Sequence, residues 1–226
     1  MTPERYRDSF ARLGQRGDGA FIPFFTLGDP DPASSAALLH TAVAAGADAL
    51  EVALPFSDPV ADGPVIQAAA RRALAAGTTR ADCWRLIDGV RQAHPDLPIG
   101  LLVYANLVVR AGLEPFYRAA ASAGADSVLV ADVPTDEAEP FAAAALAAGI
   151  APVLIVPPNA DPSRIERVAR LGRGYTYVTT RGGVTGDDGR TDPGLADRLA
   201  AIAACGAPPA VLGFGISTPG EVLAAI

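Results

Sequence analysis

Glu51, Asp58 and Asp62 fall within one short stretch, ALEVALPFSDPVADGP (residues 49–64). Residues 49–54 read as a buried strand, short and almost continuously apolar. Side chains alternate along a strand, so Glu51 shares a face with the small Ala49 and Ala53, while Leu50, Val52 and Leu54 take the other. With the large residues against helices, the carboxylate points into a space kept open by two alanines. A buried, unpaired carboxylate costs several kcal/mol, or its pKa rises and it takes up a proton. That is the state a general acid/base working near neutral pH needs. Asp58 and Asp62 follow in a proline-punctuated loop, so a strand carboxylate and a loop carboxylate form a candidate acid/base pair. Plainer roles fit the same residues: Glu51 as a satisfied core residue, and Asp62, ahead of Gly63-Pro64, as a helix N-cap.

The elements that must position these groups repeat along the chain. Residues 3–16 form an amphipathic helix with Tyr6, Phe10 and Leu13 on one side. Further helices are expected to open on an acceptor followed by proline, at Asp31-Pro32, Asp161-Pro162, Asp192-Pro193 and Thr218-Pro219. They close on small residues and glycine, and an apolar run follows at once, as in Ala123-Gly-Ala-Asp126 before SVLVAD. The unit is helix, glycine, short apolar strand, loop, helix. Strands are expected near 20–27, 49–54, 99–103, 127–131, 152–156, 175–179 and 210–214. Strands apolar on both faces and separated by helices mean a parallel sheet. Chemistry-bearing residues follow the strands at their C-terminal ends, which fits a (β/α)8 TIM barrel best, with a doubly wound sheet as the alternative. The reading is a single barrel domain over 1–226 in which the eighth strand and final helix are missing after Ile226.

Composition removes several function classes. The net charge is −7 with no basic cluster, which argues against nucleic acid and anionic membranes. No apolar run approaches the roughly 20 residues of a membrane span. The start lacks the apolar segment of a signal peptide, so a soluble, cytoplasmic protein is expected. All 18 basic residues are arginine. Schiff-base chemistry and pyridoxal phosphate attachment, which use a lysine amine, are therefore excluded from this chain. His40 and His94 lie in different helical segments with no third partner, Cys83 and Cys205 form no ligand pattern, and no metal site is expected. Two glycine-rich loops, 180–190 and 213–217, sit where a phosphate could meet backbone amides, and the first is long enough to serve as a lid.

Taken together, PFFTLGDP (23–30), ALEVALPFSDPVADGP (49–64), GLLVYANL (100–107), SVLVADVP (127–134), PPNAD (157–161), GRGYTYVTTRGGVTG (172–186) and GFGIS (213–217) resemble the tryptophan synthase alpha chain family over essentially the whole chain in one register. The resemblance implies a (β/α)8 barrel that cleaves indole-3-glycerol phosphate to indole and glyceraldehyde 3-phosphate. It also implies an α2β2 complex with a beta chain that carries the pyridoxal phosphate, so that this chain itself needs no cofactor. Glu51 and Asp62 fall on the family's catalytic carboxylates. Phe24, Leu102, Leu129, Tyr177 and Phe214 match positions lining the indole pocket. Gly186 and Gly215 match phosphate-site positions, and Thr185 matches the lid residue that closes on the catalytic aspartate. Asp58, Pro59, Asn106 and Pro134 match places where such chains meet their beta partner.

The implied mechanism protonates indole C3 from Glu51 while Asp62 holds the ring N–H and the positive charge developing there. Ionised Glu51, or a water it activates, then takes the side-chain hydroxyl proton as the C–C bond breaks. Ala53 and Gly183 depart mildly from the family's usual glycine and alanine. Two other readings remain open at this point: a lyase acting without a beta chain, and a non-catalytic regulatory subunit.

Overall fold

The computed structural model describes residues 4–179 and 194–213. Thr185, Gly186, Phe214 and Gly215 lie outside the described residues, as do the glycine-rich stretch 180–190 and the expected helix starts at Asp192-Pro193 and Thr218-Pro219.

Helix α1 (Arg5–Arg16) is followed by β1 (Phe24–Thr26), α2 (Pro32–Ala44), β2 (Leu50–Ala53), α3 (Pro64–Ala75), α4 (Arg80–Ala93), β3 (Ile99–Val103), α5 (Ala105–Ala111) and α6 (Leu113–Ala123). Then come β4 (Ser127–Val130), α7 (Glu139–Ala147), β5 (Ala151–Val156), α8 (Pro162–Leu171), β6 (Thr176–Thr179), α9 (Leu195–Ala204) and β7 (Ala210–Gly213). The seven strands form one sheet in chain order, each parallel to the next. Helical crossovers between neighbouring parallel strands are the (β/α) barrel arrangement expected from the repeat.

Local chemistry accounts for the boundaries. The Asp31 carboxylate accepts from the backbone N–H groups of Ala33 and Ser34, and Asp161 accepts from that of Arg164, each ahead of a proline. Gly124, at φ 94°, ends α6 in the left-handed region that side chains disfavour. Strand β1 is shorter than the expected 20–27. Pro23 has no N–H to give, and the Phe21 N–H is taken by the Asp48 carboxylate at 3.0 Å. Asp62 is not a helix cap: Gly63 occupies that position of α3, with no side chain engaged.

Alternation along the strands splits the core in two. Leu50, Val52, Leu54, Leu101, Val103 and Val128 face outward and pack with Ile87 of α4 and Phe116 of α6. Ala49, Ala53, Leu102, Leu129, Val153, Tyr175 and Tyr177 face inward, with Phe24 and Ile155 against them. Each large side chain buried on the outer face contributes about 1.5–3 kcal/mol. A one-residue slip of β2 would move Leu50 and Val52 inside and drive Glu51 among the helices, so the outer seam sets the register. Helix α1 covers the end of the sheet opposite the loops that carry the acids. There Asp126, fully buried, accepts from Arg5 at 2.7 Å, from Arg91 at 2.5 Å and from the Ile99 N–H at 2.8 Å.

Candidate active site

Glu51 lies in the middle of β2, between Phe24 of β1 and Gly100 of β3 in register, and is 7 % exposed. The inward face it shares with Ala49 and Ala53 is the one expected from alternation. Its Oε1 accepts a hydrogen bond from the Tyr175 hydroxyl at 2.8 Å. Burial pushes its pKa up to about 7, and the Tyr175 bond, which favours the ionised form, offsets only part of that. At neutral pH the group therefore divides between acid and carboxylate.

Beneath it sits a polar cluster that sequence reasoning did not single out. The Tyr6 and Ser127 hydroxyls are 3.0 Å apart, and the Tyr6 and Tyr175 rings pack at 5.3 Å. Gly100 makes the space. A Cβ there would fall 2.8 Å from the Tyr6 hydroxyl, 3.0 Å from that of Ser127 and 3.3 Å from that of Tyr175. The available signal was Tyr175, just before β6, and Tyr177 within it, two residues apart and hence on one face. Gly213 does the same for Tyr177: an added Cβ would strike the Tyr177 ring.

Asp62 reaches the mouth of the barrel on the loop after β2 and is 8 % exposed. Its backbone is fixed from both sides, with its N–H donating to Pro59 O at 3.0 Å and its carbonyl accepting from Gln67 at 2.8 Å. Burial raises its pKa, and a hydrogen bond from the Tyr104 hydroxyl opposes the rise. Tyr104, in the GLLVYANL stretch, also accepts from the Ala61 N–H at 3.2 Å and stacks on Phe56. One phenol at the end of β3 thus holds the acid-bearing loop.

Of the expected pocket residues, Leu102, Leu129 and Tyr177 are buried on the inward face and Phe24 packs against them. Asp58, Asn106 and Pro134 are exposed and Pro59 half-buried, all on segments following β2, β3 and β4. His40 Nδ1 and His94 Nε2 come within 3.2 Å, joining α2 to the end of α4. Among the described residues no group of three or more His, Cys, Asp and Glu could hold a metal ion. A cavity of about 300 Å³ beside Ile165, Arg198 and Cys205 lies between α8 and α9, and none of its lining comes from the inward face.

A parallel barrel whose buried and loop carboxyls gather toward the C-terminal ends of its strands has the architecture of a (β/α)8-barrel enzyme. Comparison with known proteins is more specific. The family model for tryptophan synthase alpha chain matches residues 10–226. The tryptophan synthase alpha chain of Photobacterium profundum is 51 % identical over 223 residues, 99 % of this chain and 83 % of that relative. The crystal structure of tryptophan synthase subunit alpha from Legionella pneumophila matches with TM-score 0.85 at 30 % identity, over 95 % of this chain and 79 % of that one. A structure of the tryptophan synthase α2β2 complex from Pyrococcus furiosus matches with TM-score 0.81 at 31 % identity, over 92 % of this chain and 83 % of that one. The chain belongs to the tryptophan synthase alpha chain family. It is the lyase subunit, which cleaves indole-3-glycerol phosphate.

Proposed function

We propose that Glu51 and Asp62 are the two groups that run this cleavage. Glu51 in its acid form protonates indole C3, which turns the ring into an acceptor for the bonding pair of the side chain. Asp62 takes the ring N–H and stabilises the positive charge that develops on it. Glu51, now ionised, or a water it polarises, removes the hydroxyl proton as the C–C bond breaks and glyceraldehyde 3-phosphate leaves. Leu102, Leu129, Phe24 and Tyr177 supply the apolar wall for the indole. Thr185, Gly186, Phe214 and Gly215, carried over from the family pattern, complete the substrate site.

The observation that carries the reading is the Glu51 carboxyl on the buried inward face, held by a single hydrogen bond from Tyr175 and poised at about 7. A non-catalytic regulatory subunit would have no use for a buried carboxyl held at that value. The beta chain is the partner, in an α2β2 assembly, with Asp58, Pro59, Asn106 and Pro134 at the contact. Val60 at 71 % and Val65 at 76 % exposure put apolar surface beside Asp58 and Pro59, which supports docking there rather than action alone. Pyridoxal phosphate then belongs to the beta chain only. The seven-stranded sheet built in chain order supports one barrel domain over 1–226, and its place is the cytoplasm. Among the described residues no helix is long and apolar enough to cross a membrane.

The test is indole release by Glu51→Gln and Asp62→Asn. Each keeps shape and hydrogen bonding but cannot transfer a proton or hold a charge. Turnover is expected to fall roughly 10²–10⁴-fold for Glu51→Gln, with substrate affinity little changed. Turnover within a few-fold of the parent enzyme would remove Glu51 from the mechanism.

A further inference from the structure

Thr26, the last residue of β1, has a buried hydroxyl that the reaction outlined above does not use. The residue is 7 % exposed, and among the described residues its Oγ1 is a buried side-chain oxygen without a hydrogen-bond partner. Its direction follows from its neighbours. Phe25 packs into the outer core and Phe24 against the inner cluster, so Thr26, two residues beyond Phe24, shares the inward face. In register it stands beside Ala53, whose own row continues through Leu102, Leu129 and Val153. That row lies one step toward the mouth from Glu51. Ala53, its neighbour on β2, has no side-chain polar group to pair with the hydroxyl. An unpaired buried hydroxyl costs about 1–3 kcal/mol, and nothing in the packing of β1 asks for one where valine would fit.

We infer that Thr26 is a substrate-binding residue, whose hydroxyl hydrogen-bonds a hydroxyl of the glycerol chain as that chain passes from Glu51 toward the barrel mouth. The inference rests on the reading of Glu51 as the acid/base group. It adds a specificity contact, because a site that presents an otherwise unpaired polar group discriminates against ligands unable to pair with it.

The test compares two ligands: indole-3-glycerol phosphate and an indole carrying a phosphorylated three-carbon chain without hydroxyls. Thr26→Val is nearly isosteric and is expected to lower kcat/KM for the substrate about fivefold (range roughly 2–13-fold), the worth of one hydrogen bond to an uncharged group. Inhibition by the hydroxyl-free analogue should stay the same or tighten, Tm should not fall, and Thr26→Ser should retain most of the activity. A kcat/KM within about twofold of the parent would overturn the inference. A loss of Tm together with weaker analogue binding would also overturn it, because the hydroxyl would then be serving the empty protein. Glu51→Gln, assayed beside it, separates the two readings. If Glu51→Gln turns over normally, the acid/base assignment falls while the ligand comparison at Thr26 still decides its own question.

Discussion

Burial and hydrogen bonding pull the Glu51 carboxyl in opposite directions. Burial dominates: the single bond from Tyr175 favours the carboxylate, yet the group still rises from 4.5 to about 7. Tyr175 is therefore a tuning partner, and removing it should move the pKa further up, not down. Tyr175→Phe is expected to shift the alkaline limb of the kcat/KM profile upward by roughly one pH unit, the worth of a hydrogen bond to a charged group. A shift toward lower pH would contradict this account of the tuning. Much of this was legible beforehand. Glu51 in an apolar strand between two alanines already implied a raised pKa, because alternation alone fixes which face it shares. Tyr175 as the partner of Glu51, and Tyr104 as that of Asp62, were not legible, since each acts between distant segments, 124 residues apart in the first case. Thr26 gave no signal at all: a threonine at a strand end is ordinary until its hydroxyl is found without a partner.

At the scale of elements, the inward face works because β3 gives up a side chain. Gly100, level with Glu51, leaves room for the Tyr6, Ser127 and Tyr175 hydroxyls that floor the site. Gly100→Ala is expected to cost about 1–3 kcal/mol from overpacking and to disturb the Tyr175–Glu51 bond, lowering activity more than Tyr175→Phe does. Chemical denaturation and indole-release assays on the two variants would show it, and an alanine tolerated without loss of either would refute the packing argument. Strand positions were readable from two-sided apolar runs, and the starts of α2 and α8 from Asp31-Pro32 and Asp161-Pro162. The length of β1 was not, because an aromatic run such as FIPFF promotes a strand while Pro23 and the Asp48 carboxylate end the ladder early.

For the whole molecule, a buried carboxyl tuned upward links stability to pH. Glu51 has a folded pKa raised above the 4.5 of the free side chain. Between pH 4.5 and about 7 the folded chain keeps this proton while the unfolded chain has released it. The stability it contributes is thus complete below that window and is lost as pH rises through it, by about 3 kcal/mol in all. Glu51→Gln cannot titrate, so its stability relative to the parent should rise by about this amount from pH 4.5 to pH 8, measured by denaturant unfolding. An unchanged difference between the two proteins would mean that Glu51 is not perturbed. At the opposite end of the sheet Asp126 joins Arg5 and Arg91, and the apolar seam packs the outer face. The alternating repeat announced a parallel barrel, but that ionic cluster was hidden because its three members are spread over more than a hundred residues.

The central claim is that Glu51 is an acid held ready at neutral pH, and titration of its carboxyl tests this most directly. Isotope-edited infrared spectroscopy with labelled glutamate, taken as the difference between the parent protein and Glu51→Gln, isolates this one group. A protonated-carboxyl band that disappears with a midpoint near pH 7 is the expected result. A midpoint near the ordinary 4.5 would contradict the account, since Glu51 would then be ionised at neutral pH with no proton to give to indole C3.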